Sequence, residues 1–457
     1  MLAQRFHSLL TTGWQEAFQR ERTLQRAVEH ALATPCCFGQ RTLSRTLCAL
    51  DRHQQDWSAD YKLYSRSPWD HDQLFQPVWQ GYFQRYPEGW IGVALDDTTL
   101  KKCGRKIPNV SWQRDPLSPP FHVNFLLGLR FLQASLIFPH HQEGEFDARS
   151  LPVCFRQAPI VKKPGKRATE ADWEAYRQAK KVTNLSVQAL QLLQHLRSNL
   201  DQLGASQRLL LATLDGSFCN RVLFRGELDR VTLIARCRKD ARLCRPAPQS
   251  ERRRYDLEIF TPEQVRQNNS IPWQTATIRY GGQFRPIRYK ELSPLLWRRG
   301  AGRRPLRLFV FAPLPYKLSR HSRTHYREPA YWMATDLTSP ASALVQTGFD
   351  RWQIEVNHRD EKSILGVGQA QLWALRSVPR QPAFLVAVYS LMLLAALQQF
   401  GPGRSADFGL LPKWRKSSAR PSLLDILALL RKELNETRDS FSLPHNFEQN
   451  LRNYAYT

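Results

Sequence analysis

The chain has 457 residues and carries 66 Lys and Arg against 40 Asp and Glu, for a formal charge of +26. Its length predicts two or three domains, and its 42% hydrophobic residues exclude disorder as the default state. Self-repulsion on this scale favours a polyanionic partner, so we expect nucleic acid and strongly salt-dependent binding.

Three further features narrow the class of protein. The N-terminal segment has no basic stretch followed by a long apolar run, so we expect no secretory signal. The eight cysteines include no C-x-x-C pair, which makes reduced thiols in a cytoplasmic protein the simplest interpretation. The apolar run from Ala383 to Phe400, bordered by Pro382 and Gly401, is shorter than the roughly 20 residues that cross a bilayer. We therefore predict a buried core helix and no membrane contact.

Residues 1–85 are predicted to be helical, because apolar residues recur there at helical spacing. Two short helices, around residues 39–50 and 56–66, are accompanied by basic residues that include Arg41 and Arg45. This pattern suits a helix-turn-helix-like domain that binds DNA ends, but an ordinary helical bundle would show it as well.

Residues 86–244 change to alternating strands and helices, which predicts an α/β sheet. One apolar run, GWIGVAL, stops at Asp96-Asp97, and a second, RLLLATL, stops at Asp215. Strand-like segments and one long helix at about 170–203 lie between these two runs. Side chains at the carboxyl ends of such strands are well placed for chemistry.

Residues 245–305 contain basic runs and short alternating stretches, which predict a small β-rich insertion. Residues 306–402 return to the α/β pattern, and two strands there lead to Ser339-Pro340, a helix-start signal. Residues 403–457 are predicted to be a basic C-terminal tail with one amphipathic helix.

The helix that follows Pro340 contains a stripe of ionisable residues. At 100° per residue, Arg351, Glu355, His358 and Lys362 lie at i, i+4, i+7 and i+11 and share one face. A second stripe, which includes Trp352, is predicted to pack against the protein. Taken alone, the charged stripe suits a solvated surface as well as it suits a functional site.

Three carboxylates become candidates for one site. Asp215 and one of Asp96 and Asp97 follow strands, and Glu355 lies on the charged face of the helix. Carboxylates within about 4 Å of one another would repel by roughly 4 kcal/mol per pair at an effective dielectric of about 20. A divalent metal must therefore neutralise them. Oxygen ligands without Cys or His are typical of Mg²⁺ or Mn²⁺ in two-metal phosphodiester chemistry.

With these carboxylates in place, the sequence resembles DDE transposases of bacterial insertion sequences. DDTT at 96–99, LDGSF at 214–218 and RWQIEVNHRDEK at 351–362 are similar to the three catalytic blocks of that family. The most similar subgroup is the insertion-sequence-four-like superfamily, with a Y-x2-R-x3-E-x6-K signature and a β insertion before the final Glu. The resemblance implies an RNase H-like mixed α/β sheet flanked by helices, behind an N-terminal all-helical domain.

The resemblance also implies roles for individual residues. Asp97, Asp215 and Glu355 would be the catalytic carboxylates and would hold two Mg²⁺ or Mn²⁺ ions, while Arg351 and Lys362 would clamp the DNA phosphate next to the cut.

Two positions need comment. Successive strand residues face opposite sides of a sheet, so only one of Asp96 and Asp97 can enter the site, and the place of Asp97 in the motif favours Asp97. The Tyr of the signature falls on Gly348, so a hydroxyl that would contact a DNA phosphate is missing. Gly inside a helix also costs up to about 1 kcal/mol.

Further DNA contacts are predicted from basic and aromatic residues. His358 is expected to bond DNA or a neighbouring carboxylate rather than metal. Trp297, beside two arginines, suits stacking on an unpaired base, with core packing as the alternative. Contacts to backbone phosphates, with a solvated surface as the alternative, are predicted for Arg41, Arg45, Lys162, Lys163, Arg252, Arg253, Arg254, Arg298 and Arg299.

These features predict a DNA transposase that cleaves the ends of an insertion sequence and transfers the 3′ hydroxyl strands to target DNA. The implied partners are double-stranded DNA, as terminal inverted repeats and as target, and a second copy of the chain in a homodimer that bridges two ends. The resemblance implies a bacterial, nucleoid-associated protein. No Walker loop or dinucleotide loop occurs in the sequence, so no nucleotide cofactor is expected. The alternatives are another RNase H-like nuclease, of the junction-resolvase type, and a domesticated non-catalytic DNA-binding protein.

Overall fold

The computed structural model describes residues 1–115, 118–119, 121–249, 252–319, 321–411, 419–437 and 441. Its helices are α1 (Leu2–Gly13), α2 (Glu21–Ala33), α3 (Leu43–Ala49), α4 (Ser58–Ser65), α5 (Gln76–Arg85), α6 (Glu170–Val182), α7 (Leu185–Gln202), α8 (Arg221–Arg225), α9 (Pro262–Gln267), α10 (Ala341–Asp350), α11 (Trp352–Arg359), α12 (Ser377–Phe400) and α13 (Leu423–Glu436). Its strands are β1 (Ile91–Lys101), β2 (Ser111–Arg114), β3 (Phe125–Phe138), β4 (Arg149–Gln157), β5 (Leu210–Leu214), β6 (Val231–Arg236), β7 (Leu243–Pro246), β8 (Tyr255–Phe260), β9 (Gln274–Tyr280), β10 (Gln283–Leu296), β11 (Pro305–Phe311), β12 (Pro315–Lys317), β13 (Thr324–Tyr326) and β14 (Ala330–Ala334).

Five strands form the part of the sheet that positions the candidate site. Their order is β4-β3-β1-β5-β6, in which β3 runs antiparallel to its neighbours β1 and β4, and β5 and β6 run parallel to β1. Helices α6 and α7 connect β4 to β5, and α8 lies in the crossover from β5 to β6. This mixed sheet flanked by helices is consistent with the RNase H-like core that the resemblance implies.

The sheet continues beyond β6 through strands from the second half of the chain. β14 pairs antiparallel with β6 and is followed in order by β11, β10, β7 and β8, while β9 pairs with β10. The segment 245–305 is rich in strands, as its sequence predicts. It extends the same 12-stranded sheet, edge to edge, through β10 and β11.

Helix α12 lies at the centre of the hydrophobic core. It packs on β4, α1 and α5, and its residues are buried almost without interruption along its length. The N-terminal helical region shares this core, because the rings of Trp14, Tyr64 and Trp69 all contact the ring of Phe384. Among the described residues, α12 is the one helix long and apolar enough to cross a membrane, and 83% of its most apolar window is buried in the protein. This burial is what the sequence predicts for a core helix.

Helices α10 and α11 form one almost continuous helix, which a π-helix at Asp360–Ile364 extends. Ile354 of α11 is fully buried and belongs to the same buried apolar cluster as Ala94 of β1. Asn357 donates hydrogen bonds of 3.0 Å to the carbonyl oxygen of Ser150 on β4 and of 3.0 Å to the hydroxyl of Tyr389 on α12. These buried contacts fix the rotation of α11 against the sheet.

The helix approaches β14 most closely at Gly348. A Cβ atom at this position would lie 2.3 Å from a ring carbon of Trp332, which is closer than real Cβ contacts. A Tyr at position 348 would therefore clash with the indole ring. The departure from the signature has a packing cause in this protein.

Three predicted elements differ from the structure. β1 does not stop at Asp96 but runs to Lys101, because its residues stay paired with β3 that far. The helix predicted at 170–203 is two helices, and the side chain of Asn184 caps the second one by accepting a hydrogen bond from the amide of Ser186. Trp352, which the apolar stripe predicts to pack, is 62% exposed.

Candidate active site

Asp96 reaches the site because of its position on β1. It is paired with Gln133 of β3, and by strand alternation its side chain lies on the same side of the sheet as Ala94. Ala94 belongs to the same buried cluster as Ile354 of α11, and Arg351, next to α11, lies 3.3 Å from Asp96, so Asp96 faces this helix. By strand alternation Asp97 is on the other side of β1, but the charges of Asp215, His358 and Lys362 still act on its pKa. The sequence-based choice of Asp97 over Asp96 therefore stays a prediction.

Asp215 reaches the same edge of the sheet from the neighbouring strand. It directly follows β5, and Leu214 at the end of β5 is in parallel register with Leu95 of β1. Asp96 and Asp215 are therefore the next residues along two adjacent parallel strands. The prediction that two apolar runs deliver carboxylates to one edge describes this arrangement.

Arg351 joins these two carboxylates to Glu355. Its Nη1 lies 3.3 Å from Oδ2 of Asp96, and its Nη2 lies 3.3 Å from Oε1 of Glu355 and 4.0 Å from Oδ1 of Asp215. Three carboxylates from a strand, a strand end and a helix thus converge on one guanidinium group. The side chains of Asp215 and Glu355 remain partly open to solvent, while Asp96 is more enclosed.

The pKa values of the two strand carboxyls show that negative charge is only partly compensated here. Burial raises the pKa of Asp96 to about 6, with further contributions from the charges of Glu355 and Asp97, although His358 and Arg351 oppose the rise. Burial also raises the pKa of Asp97. One arginine is therefore too little positive charge for this cluster.

Lys362 lies in the π-helix, whose wider turn departs from the 100° spacing on which the predicted stripe depends. It still lies close to the carboxylates: burial lowers the pKa of Lys362, and the charges of Glu361, Asp96, Asp97 and Glu355 oppose that effect. The structure thus brings Lys362 to the cluster, although not along a regular α-helical stripe.

His358 is nearly buried, with 8% of its surface exposed. Its Nδ1 lies 3.5 Å from Oε2 of Glu361, and neither ring nitrogen makes a hydrogen bond within the described part of the chain. Glu361 in turn accepts a hydrogen bond of 2.9 Å from Gln133 on β3. The histidine therefore lies beside a carboxylate without a hydrogen bond to it, and its predicted bond to DNA or to a carboxylate stays a prediction.

The donor chemistry of the cluster fits a divalent cation. Asp96, Asp215 and Glu355 offer hard oxygen atoms, and all three lie within 4.0 Å of Arg351. As they are placed here, no three Asp, Glu, His or Cys side chains among the described residues stand close enough together to hold a metal ion.

Arg41 does not lie where a DNA contact needs it. It is 7% exposed, and its guanidinium donates to the carbonyl of Thr34 while its amide donates to Oε1 of Gln369 at 2.7 Å. The guanidinium satisfies a buried carbonyl in the N-terminal region, and a phosphate contact would require Arg41 to leave this partner. Arg45, on the adjacent helix α3, is half-buried.

The residues predicted in the insertion divide into packed and exposed ones. Trp297 packs edge-to-face on Phe224, with ring centroids 5.8 Å apart, and a Cβ on Gly300 would lie 2.1 Å from the indole ring. This contact favours the core-packing alternative over base stacking.

The basic residues predicted to contact phosphates are exposed at Lys162, Lys163, Arg252, Arg253, Arg254, Arg298 and Arg299. The basic run at 412–418 in the tail lies outside the described residues.

Sequence reasoning missed a groove that adjoins Asp215. Its volume is about 660 Å³, and the basic side chains along it include Arg236, Arg238, Lys239 and Arg266. The available signal was the run RCRKD, which directly follows the strand β6 that runs parallel to β5. The position of β6 beside β5 became visible only in the folded sheet.

A mixed sheet with one carboxylate within β1, a second directly after β5 and a third on the helix that covers them is the arrangement of metal-dependent nucleases that act on DNA. The family model described as DDE superfamily endonuclease matches residues 15–303. The match covers more than half of the chain, so the protein belongs to this family. It includes Asp96 and Asp215 and ends before Glu355. No curated protein matches the chain.

Proposed function

We propose that the protein is a DNA transposase of the insertion-sequence-four-like superfamily, which cleaves the ends of an insertion sequence and transfers the 3′ hydroxyl strands to target DNA. The convergence of Asp96, Asp215 and Glu355 on Arg351 carries this proposal. The R-x3-E-x6-K spacing of Arg351, Glu355 and Lys362 supports the subgroup, and the packing of Trp332 on Gly348 explains the missing Tyr.

In this proposal Asp96, Asp215 and Glu355 hold two Mg²⁺ or Mn²⁺ ions. When bound, the ions would supply activation of the attacking hydroxyl and stabilisation of the leaving oxygen in an in-line displacement. Asp96 takes the place that the motif assigned to Asp97, because Arg351 lies 3.3 Å from both Asp96 and Glu355 and so joins these two carboxylates.

Arg351 and Lys362 bind the phosphate at the cut. Arg351 is held by three carboxylates at 3.3 to 4.0 Å, and each of them gains a better counter-charge when cations bind. The guanidinium is then free to donate two parallel hydrogen bonds to a phosphate. Lys362 adds positive charge to the same place, since it lies close to Asp96 and Glu355.

DNA beyond the cut contacts exposed basic residues on the insertion and on the loop before α6. The exposed side chains are those of Arg298 and Arg299, of Arg252 to Arg254, and of Lys162 and Lys163. Two copies of the protein would bridge two element ends in the synaptic complex. The N-terminal helices would bind the terminal repeats from their exposed surface, since Arg41 is committed to the interior.

The test is a strand-transfer assay on a DNA fragment that carries both sequences flanking the coding region. With Mg²⁺ or Mn²⁺, the wild-type protein is expected to release the 3′ ends and join them to a target plasmid. Glu355→Gln should lose both steps by at least about 10²-fold while retaining DNA binding. Glu258→Gln, which changes an exposed carboxylate on β8, serves as the matched control and should keep full activity.

Unchanged activity of Glu355→Gln would overturn the site. Cleavage of branched DNA junctions without joining of flanking DNA to a target would instead identify a resolvase. DNA binding with no cleavage of any substrate by the wild-type protein would identify a non-catalytic DNA-binding protein.

A further inference from the structure

Strands β12 and β13 form a two-stranded ribbon that does not pair with the main sheet. In its register Pro315 faces Tyr326, Tyr316 faces His325 and Lys317 faces Thr324. The amide of Arg327 donates to the carbonyl of Leu314 at 2.9 Å and closes the base of the ribbon. The ribbon is thus a defined β-hairpin that projects from the fold.

The tip of the ribbon is also ordered by hydrogen bonds. The amide of Ser322 donates to the carbonyl of Ser319 at 3.2 Å, and the amide of Ser319 donates to the hydroxyl of Ser322 at 3.0 Å. Leu318, next to the tip, is 76% exposed, and Tyr326 is 66% exposed. These exposed apolar side chains contribute little to folding, and exposed apolar surface of this kind marks an interaction site.

The charge of the ribbon selects an anionic partner. From Pro315 to Arg327 the sequence carries four Lys or Arg and no Asp or Glu. Among the described residues, Lys317, Arg323 and Arg327 are exposed, and Arg327 lies 5.9 Å above the ring of Tyr316. Basic residues interleaved with aromatic rings are typical of surfaces that bind nucleic acid.

The ribbon lies at the edge of the sheet that carries the candidate active site. It connects β11 to β14, whose residues Phe311 and Ala330 are paired with each other. Trp332 of β14 is paired with Arg236 at the end of β6, so the start of β14 lies at the carboxyl end of β6. Because β6 and β5 are parallel, this is also the edge where Asp215 lies.

Residues from both places line one groove. This groove has a volume of about 660 Å³, and its lining includes Asp215, Arg236 and Lys239 together with Glu328 and Pro329, which begin two residues after the ribbon. Nucleic acid that leaves the carboxylate cluster along this groove arrives at the base of the ribbon.

We propose that the ribbon, residues 315–326, enters the major groove of duplex DNA next to the cleaved phosphate and holds that duplex during the reaction. A two-stranded β-ribbon fits the major groove, which is about 12 Å wide. Lys317 and Arg323 neutralise phosphates on its rims, and Leu318 and Tyr326 contact base edges. This role rests on the proposed DNA-cleaving function and adds a contact to it that lies outside the insertion.

The first test measures binding of a fluorescent DNA duplex of mixed sequence at several salt concentrations, in a Glu355→Gln parent that cannot cleave. Lys317→Gln/Arg323→Gln/Arg327→Gln should weaken binding and reduce the slope of log K against log salt by about 2 to 3, since each lost phosphate contact removes about 0.9. The charge-preserving variant Lys317→Arg/Arg323→Lys/Arg327→Lys is the matched control and should keep the parental slope.

The outcomes separate this proposal from the proposed function. An unchanged slope in the Gln triple, with a parent that binds duplex, overturns the ribbon alone. A parent that does not bind duplex overturns both the ribbon and the transposase. A circular dichroism spectrum and melting temperature equal to the parent's are required of both triple variants, so that a loss of binding reports on the ribbon and not on folding.

The second test locates the contact. Leu318→p-benzoylphenylalanine should crosslink to duplex DNA on irradiation, whereas the same change at Leu424, which is 55% exposed on α13, should not. Crosslinks at position 318 to single-stranded DNA alone, or to a second copy of the protein, would overturn the assignment of duplex DNA as the partner.

Discussion

Two clusters of charged side chains in this protein contain similar residue types but differ in which sign of charge is in excess. In the N-terminal helices, Asp60 lies among His30, Arg52 and Arg26. At the edge of the sheet, Asp96 lies among Arg351, Glu355 and Asp215. The first cluster has several basic groups around one carboxylate, and the second has several carboxylates around one guanidinium.

The Asp60 cluster is compensated. Oδ1 of Asp60 lies 2.8 Å from Nε2 of His30, 3.0 Å from Nη1 of Arg52 and 3.3 Å from Nε of Arg26, and Asp60 is 2% exposed. Burial alone would raise the pKa of Asp60, but the hydrogen bond with His30 and the charges around it lower that pKa. A buried charge with this many partners stabilises the packing of α2 on α4.

In the Asp96 cluster the pKa of Asp96 is raised to about 6, chiefly by burial, and the charges of His358 and Arg351 do not cancel that rise. The comparison teaches how to separate a structural carboxylate from a catalytic one. The structural group already has its counter-charges, whereas the catalytic group lacks positive charge until a cation or substrate arrives.

The largest expected effect is on catalysis, where substitutions distinguish Asp96 from its neighbour Asp97. Asp96→Asn should reduce cleavage by about 10³-fold, because the neutral amide cannot replace a charged metal-holding oxygen. Asp97→Asn should reduce it only roughly 10-fold, because Asp97 lies on the other side of β1 and acts through the local field. Single-turnover cleavage of labelled DNA measures both.

The reverse ranking would contradict the structural placement. If Asp97→Asn abolishes cleavage and Asp96→Asn does not, then the motif position identified the ligand correctly and the strand alternation did not. Asp60→Asn is the control for charge removal, and where it remains folded it should cleave DNA at the normal rate.

Much of the fold was predictable because local patterns were strong. The apolar runs that became β1 and β5, the core helix α12 and the β-rich insertion are all visible as spacing in the chain. The pairing of strands was not visible, since partners such as β6 and β14 are far apart in sequence. The groove beside Asp215 depends on that pairing, and so it could not be predicted.

The kind of site, a cluster of carboxylates, could be predicted from the sequence, but not every residue in it. Asp96 and Asp97 differ only in which side of β1 they occupy, and the sequence of a strand does not say which side a helix will cover. The position of Arg351 favours Asp96, because its Nη1 lies 3.3 Å from that carboxylate. The burial of Arg41 was equally hidden, because a guanidinium that satisfies a carbonyl and one that binds phosphate look the same in a sequence.

The next largest effect is expected on folding stability at the compensated cluster. Asp60→Asn should lower the free energy of unfolding by about 3 kcal/mol, because the buried His30 would lose its carboxylate partner and Arg52 would keep only Glu29. The pH dependence has a defined sign. A folded-state pKa below the ordinary value of 3.8 stabilises the protein above that pH, and this contribution is lost as the pH falls through the lowered pKa.

Urea denaturation between neutral pH and about pH 3 measures this contribution. The wild-type protein should lose more stability below pH 3.8 than Asp60→Asn does, since the variant has already lost the titrating group. Parallel curves for the two proteins over this range would contradict the compensated network and leave Asp60 as an ordinary buried carboxyl.

The smallest expected effect is on the free energy of unfolding of Asp96→Asn, and its sign is opposite to that expected for Asp60→Asn. At neutral pH and without divalent metal, Asp96→Asn should raise the free energy of unfolding by about 1 kcal/mol. The reason is that the pKa of Asp96 lies near 6, so its ionised form costs free energy in the folded state, and removal of the charge relieves both its burial and its repulsion with Glu355.

Addition of Mn²⁺ should stabilise the wild-type protein and leave Asp96→Asn nearly unchanged, because only the wild type keeps the full set of carboxylates. Thermal unfolding with and without Mn²⁺ measures both changes. A destabilised Asp96→Asn would place Asp96 with Asp60, as a carboxylate whose charge the fold requires.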